Sequence, residues 1–428
     1  MTIHHFNTYL TGGAAIAARR IHDALIAAGV DSRFYFGSEA MPPEDQSYFP
    51  YTPGAKPKNI LDKLNRQVKR WRYRRKVRLF IQQRASNSDV FTYSKLHYST
   101  PRPQNGHPPD VIHLHWIADF LDYPSFFSSI PANLPVVWTL LDMNPFTGGC
   151  HYAWDCAKFN TTCNNCPQLS RAADDDMSAE NFAVKRAAFD CKDIHVVGAS
   201  HWIETQARES ALLGGARSFR TIHCGVDAAV FRPLDREGCR ASLGLPANSF
   251  IICFGAEIIH LPRKGGEHLL DALTMLRKPH GALCLIFGDG TLPIRPDLPP
   301  LRMLGSVREP ERLAQVYSAA DLFVIPSLQE NLAQTMLEAM ACGTPVVGFD
   351  TGGIPEAVLD HDTGLIAKLG DRVDLAGKIQ WMLDHPHQRA EMGARSRKLI
   401  VSKFTIEQQA RKYAELYGSI INPSEAMS

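Results

Sequence analysis

Between Asp321 and Val358 the sequence runs DLFVIPSLQENLAQTMLEAMACGTPVVGFDTGGIPEAV, and this stretch leaves little choice of fold. Asp321–Ile325 is a short apolar run closed by Pro326 and Ser327, which reads as a strand buried on both faces. After the loop 326–331, Leu332 to Cys342 is rich in helix formers and stops at Gly343, a favoured C-cap residue. Pro345–Phe349 is a second buried strand. Such strand–loop–helix–strand units build parallel sheets, and parallel sheets place ligands at the carboxyl ends of their strands. The helix start near Leu332–Thr335 offers unpaired backbone N–H groups and a positive dipole end, which suit a phosphate. Glu330 and Glu338 frame that start, about two helical turns apart. Two acceptors so spaced can hold the hydroxyls of sugars on either side of a diphosphate. Taken alone, the pair is more simply a local cap and a solvated loop acid.

The chain has 428 residues, enough for two domains, and at 45% hydrophobic and 21% charged it has the makings of a real core. A net charge of +2 gives no global pull toward nucleic acid. No apolar run is long enough to span a bilayer, and the first residues carry no basic-then-apolar leader, so a cytoplasmic protein is expected. In that reducing setting the ten cysteines are expected to be thiols rather than disulfides.

Glu330-x7-Glu338, continued by AMACGTPVV and by GGIPE at 352–356, resembles the donor-site signature of the retaining glycosyltransferases of family GT4, of the bacterial exopolysaccharide, capsule and colanic-acid kind. The resemblance implies an α/β chain of the GT-B fold, two Rossmann-like domains with parallel sheets facing across a cleft. Residues 1–227 would form the acceptor-side domain and 228–405 the nucleotide-sugar domain, with 406–420 a terminal helix packing back on the first. The donor is expected to be a UDP- or GDP-type nucleotide diphosphate sugar, and the acceptor a growing, lipid-linked polysaccharide or glycan. No metal is needed for catalysis, and a nucleic-acid partner is not expected. By the same resemblance Glu330 contacts the donor sugar and Glu338 its ribose, and Asn331, Leu332, Ala333 and Thr335 meet the diphosphate. Lys264, helped by Arg263, neutralises that diphosphate. Gly305 and Val307 lie in a loop that meets the base, and Gly12 and Gly13 form a glycine loop approaching the donor from the first domain.

At 139–143 the chain reads TLLDM where many relatives read Thr-Leu-His-Asp-Met, so a leucine, Leu141, stands where a histidine is expected beside the reacting sugar. Leucine neither donates nor accepts a hydrogen bond. Asp142, His115 or His113 is then the candidate replacement, or transfer is slow or lost. His113 and His115 are read as pointing to opposite faces of their strand, so that at most one is functional. A nucleotide-sugar epimerase or hydrolase on this fold is one alternative, and a degenerate nucleotide-sugar-binding partner subunit is another.

Two further features stand out. Residues 56–84 hold twelve Lys or Arg against one acid, Asp62, with Leu, Val, Trp and Phe interleaved. A basic amphipathic helix of this type can lie on the anionic inner face of the plasma membrane, and a solvated helical insert is the plain alternative. Cys150, Cys156, Cys163 and Cys166 fall within seventeen residues and include one C-x2-C. Four thiols suit a structural, tetrahedral Zn²⁺ with no open catalytic position, and free thiols are the alternative.

Overall fold

The computed structural model describes residues 1–37, 44–51, 59–80, 89–104, 107–277, 281–293 and 295–422. The chain divides into two compact units, one of 1–222 with 410–428 and one of 223–409. The ends of the basic insert, 56–58 and 81–84, lie outside the described residues.

The first unit is built on β1 (Thr2–Asn7), β2 (Asp31–Phe36), β3 (Tyr48–Pro50), β4 (Val111–Leu114), β5 (Val136–Leu140), β6 (Ile194–Gly198) and β7 (Ser218–Thr221). Their spatial order is β3-β2-β1-β4-β5-β6-β7, and every pairing is parallel. The strand order reverses between β1 and β4, so the loops that follow these two strands diverge and leave a crevice at their carboxyl ends. β4 and β5 are buried at every position, as expected of strands covered on both faces. Trp138, Tyr123, Phe126 and Phe127 pack with Phe189 on one side of the sheet. On the other side the end of the helix Ile406–Ile421 inserts Tyr413 and Tyr417 among Ile3, Val111 and Val137.

His113 and His115 do not point to opposite faces. Side chains two apart on a strand share a face, and the two rings lie with centroids 4.1 Å apart, beside His5 of β1. The earlier division between faces was an error of period.

The second unit carries β8 (Phe250–Ile258), β9 (Ala282–Asp289), β10 (Leu301–Met303), β11 (Leu322–Ile325), β12 (Val346–Phe349) and β13 (Gly364–Ala367), in the order β10-β9-β8-β11-β12-β13, again all parallel. Here the reversal falls between β8 and β11. The helix of the 321–358 stretch spans Gln334–Ala341, two residues later than the composition suggested, because Ala333 stays extended at φ −68° and ψ 123°.

The basic segment forms the helix Ile60–Phe80. Arg66, Tyr73, Lys76 and Val77 are half-buried, whereas Leu61, Leu64, Val68, Trp71 and Leu79 are exposed by between 47% and 71%. At about 100° per residue the two sets occupy opposite sides of the helix. The apolar stripe therefore faces away from the first unit's body. No helix among the described residues is long and apolar enough to cross a membrane.

Candidate functional site

In the second unit the loops after β8 and β11 meet at the reversal point. The loop 262–266 follows β8 and holds Arg263 and Lys264 in a short 3-10 turn. Its Gly265 has φ +68°, and a Cβ there would stand 1.7 Å from the Pro326 carbonyl oxygen. Only glycine lets the two loops approach so closely. Leu328 N–H donates to the Arg263 carbonyl at 2.8 Å and completes the join. On the opposite side Gly352 (φ +56°) is pressed against the Glu330 backbone, and Gly353 N–H donates to Asn331 O at 2.7 Å. The GGIPE motif thus serves as a backstop for the loop that carries Glu330.

Glu330 is 6% exposed. Lys264 Nζ donates to its Oε2 at 2.5 Å, and Arg263 Nη1 lies 3.4 Å from the same oxygen while donating to Gln329 O at 3.0 Å. Burial alone would raise the Glu330 carboxyl, but Lys264 and then Arg263 outweigh it and hold the group down at about 2. A fixed carboxylate flanked by two fixed cations results. Glu338, also buried, accepts from the Tyr317 hydroxyl at 3.1 Å. Tyr317 sits on the helix Pro310–Ala319, packed against Phe287 and Phe323. Leu332 and Ala333 are nearly closed to solvent, and Thr335 is half-buried in the first turn of its helix. Gly305 takes φ +69° and accepts from Gly288 N–H at 2.8 Å, with Val307 half-buried beyond it.

In the first unit Gly12 (φ 92°) begins the helix Gly13–Ala27 after β1, and a Cβ on Gly13 would meet nothing within 4 Å. His115 follows β4 and Asp142 follows β5. Asp142 is buried and accepts from Trp116 Nε1 at 2.6 Å and from Asn144 N–H at 2.9 Å, with His151 Nδ1 at 2.6 Å. Burial pushes its carboxyl up, but His151, then Asn144 and Trp116, bring it below the usual range. The loop 142–150 is held from beneath by Lys185, a fully buried lysine whose Nζ donates to the carbonyls of Asn144 and Thr147. Leu141, Asp142, His115, Trp116 and His151 line one small cavity of about 10 Å³.

His115 is turned from this chemistry into the core. Its Nε2 lies 2.9 Å from His5 Nδ1, and His113 bridges Thr139 Oγ1 and the Tyr417 hydroxyl, both at 2.7 Å. Burial drives all three imidazoles down, His115 to about 3. Their ligand atoms lie within 4.8 Å of one another. With His113 doubly bonded and His5 facing His115, the set is a neutral hydrogen-bonded core.

All ten cysteines are free thiols. Cys150, Cys156, Cys163 and Cys166 line a cavity of about 20 Å³, and Gly148 N–H donates to Cys163 Sγ at 3.1 Å. Four thiols are a suitable donor set for zinc. Among the described residues, however, they are not drawn into a group with ligand atoms within 4.8 Å of one another. Of the three acids 174–176, Asp176 caps the helix Met177–Phe189 and accepts from Cys166 N–H.

The sequence reading missed His151, Trp116, Lys185 and Tyr317. His151 directly follows Cys150, and its histidine in an otherwise small, cysteine-marked loop was the available signal. Tyr317 and Lys185 look like ordinary helix residues and carry no such mark.

A family model described as glycosyl transferases group 1 matches residues 249–385. The D-inositol 3-phosphate glycosyltransferase of Rhodococcus erythropolis is 36% identical over 187 residues, covering 40% of this chain and 42% of that protein. A D-inositol 3-phosphate glycosyltransferase 2 of Catenulispora acidiphila is 33% identical over 209 residues, covering 44% and 48%. The chain thus matches less than half the length of these curated relatives. Sucrose-phosphate synthase of Thermosynechococcus elongatus superposes with a TM-score of 0.66 at 21% identity, covering 99% of this chain and 100% of that one. Anabaena Alr3699/HepE in complex with UDP-glucose gives 0.63 at 17% identity, covering 98% and 100%. At such identities these likenesses speak for the fold. The second unit is thus similar to the group 1 glycosyltransferases over residues 249–385, and the two parallel-sheet units have the GT-B fold.

Proposed function

We propose that this chain transfers a hexosyl group from a nucleotide diphosphate sugar to a glycan acceptor, retaining the anomeric configuration, at the inner face of a membrane. One observation carries the reading. A buried carboxylate, Glu330, is held ionised between Lys264 and Arg263 at the sheet's reversal point, inside the residues that match the family. Lys264 and Arg263 stabilise charge as the diphosphate leaves, in a site too dry to screen them. Glu330 accepts from sugar hydroxyls and Glu338, oriented by Tyr317, from the ribose. Backbone N–H groups of 331–335 and the Thr335 hydroxyl complete the phosphate contacts, with Gly12, Gly13, Gly305 and Val307 around the nucleotide. Asp142, positioned by His151 and Trp116, faces the acceptor side, and the leaving phosphate takes the acceptor's proton.

The outward stripe of the helix Ile60–Phe80 supports membrane contact. Arg75 lies within it, 5.6 Å from the Trp71 ring centroid, and Arg78 borders it, and each basic group near an anionic surface contributes about 1 kcal/mol. Cys150, Cys156, Cys163 and Cys166 are read as a structural zinc site that would draw the sulphurs inward. Metal analysis of protein purified without chelator decides this. About one zinc per chain supports it, and none leaves four free thiols.

The test is a thermal-shift screen of UDP, GDP and ADP sugars, starting with UDP-glucose, followed by product analysis with donor alone and with acceptor. A ligand at one hundred times its Kd adds about 2.7 kcal/mol. Hydrolysed or epimerised donor without acceptor favours the alternative enzyme. No shift with any nucleotide, in folded protein, removes the reading and leaves a partner subunit, which Leu141 favours.

A further inference from the structure

Beneath the basic helix lies a groove of about 1120 Å³, between the helix's inner side and residues 93–101. Arg66, Lys69, Arg72 and Lys76 line it from the helix and Lys95 from the other wall. Its two carboxylates are already engaged. Glu180 pairs with Lys76 and accepts from the Tyr93 hydroxyl. Asp122 caps the helix Tyr123–Ser128, accepting from Ser125 N–H at 3.1 Å and Leu96 N–H at 2.8 Å. The groove is therefore strongly positive.

It is also aromatic. Tyr51, Tyr73, Tyr93 and Tyr98 form much of the wall. Burial pushes the Tyr98 hydroxyl up to about 12, so it stays neutral. Cations interleaved with tyrosines suit a ligand that joins sugar rings to phosphate. The helix divides its cations: Arg66, Lys69, Arg72 and Lys76 line the groove, whereas the apolar stripe that could meet lipid lies on the other side.

The groove also borders the Asp142 cavity across one segment of chain. Tyr98 OH donates to the Asp119 carbonyl at 3.2 Å. The segment 116–124 separates two spaces, with Asp122 and Pro124 lining the groove and Trp116, Ile117 and Tyr123 lining the Asp142 cavity.

We propose that this groove binds the acceptor through a phosphorylated saccharide, its phosphate on Lys69, Arg72 and Lys95 and its sugar on the tyrosines. The word acceptor rests on the transferase reading above; binding of the phosphorylated sugar does not. The phosphate belongs either to a lipid-diphosphate-linked glycan or to a soluble sugar phosphate.

Calorimetry on the full chain with glucose 1-phosphate and with farnesyl diphosphate, a short prenyl diphosphate, tests this. The expected result is binding of at least one probe, weakened tenfold or more in Lys69→Gln/Arg72→Gln and by added salt. A second variant, Leu64→Asp/Trp71→Asp, changes only the outward stripe and is expected to lose vesicles containing phosphatidylglycerol while keeping glucose 1-phosphate. Tighter farnesyl diphosphate indicates the lipid-linked source, and tighter glucose 1-phosphate the soluble one. If neither probe binds, or if Lys69→Gln/Arg72→Gln binds them unchanged, the groove is only part of a membrane-facing surface and the proposal is overturned. The thermal shift with nucleotide sugars is read in the same samples. Its absence alongside intact probe binding removes the transferase reading and leaves the groove standing.

Discussion

The two units share one topology and solve the reversal point with opposite electrostatics. In the second unit the loops after β8 and β11 converge on charge, with Glu330 ionised between Lys264 and Arg263. In the first unit the sheet beneath the corresponding loops holds neutral imidazoles, His5, His113 and His115, and its one site carboxylate, Asp142, is held by hydrogen bonds rather than by lysine or arginine. In the proposed reading the second unit meets a diphosphate and needs fixed cations, and the family match falls on that unit. In the first unit the cations gather away from the reversal point, in the groove under the basic helix. Its distinctive features, the basic helix and the cysteine loop, lie outside the matched residues.

Acid should separate the two units most. The folded-state pKa values of His4, His5, His22, His113 and His115 lie below the unfolded value of about 6.5, so the unfolded chain binds more protons as pH falls. Stability from this source is intact above about 6.5 and is lost below it, by about 1.4 kcal/mol per pH unit for each group. His115 is lowered to about 3 and His4 and His22 to about 4, with His5 and His113 also well down. Glu330 behaves differently. It is depressed to about 2, so its contribution persists until pH drops through about 4.3, its unfolded value. Hydrogen exchange between pH 7 and 5 should show the first unit opening by several kcal/mol while the core of the second holds. Parallel loss in both units would break the contrast.

Next in size is the charged site itself. Lys264→Ala is expected to lower turnover by about 100- to 1000-fold, the effect of losing one preorganised donor. Glu330→Gln should cost a similar factor and also lower the melting temperature, since it leaves two buried cations without their carboxylate. Normal turnover in both, measured with the donor found by thermal shift, would mean the ion pair is structural.

Asp142→Asn removes charge but keeps shape. About a tenfold loss in turnover is expected if Asp142 faces the acceptor, roughly 1.4 kcal/mol. His151→Gln should give a smaller loss and a shifted acid limb of the pH–rate profile, because His151 positions Asp142 through one bond. An unchanged profile would reduce His151 to packing.

What was legible follows the same division. Alternating apolar runs and helix formers revealed the α/β class, since strands such as β5 and β11 are buried on both faces and so appear as uninterrupted apolar runs. Glu330, Lys264 and Gly352 stood out through their resemblance to the family's donor-site run, and the close loop packing at Gly265 and Gly352 gives that run a physical reason. The first unit's site was harder to read. Asp142 depends on Trp116, His151 and Lys185, which come from three separate segments and meet only in the folded sheet. The outward face of the basic helix was equally hidden, because composition records how many cations there are but not which side they take.

The smallest effect is expected at Leu141, and it tests how the first unit manages without the histidine. Leu141 lines the same cavity as Asp142 and His151, so an imidazole placed there would stand close to the carboxylate. His151 already bonds Asp142, and its Nε2 is engaged with Thr92 at 3.1 Å. A second imidazole therefore adds little where the first is in place, and Leu141→His alone should change turnover by less than about threefold, below 0.7 kcal/mol. In the His151→Gln background it should restore part of the lost rate. A large gain from Leu141→His in the otherwise native chain would instead show that the first unit is a dormant site awaiting its histidine, and the contrast between the units would become one of activity as well as electrostatics.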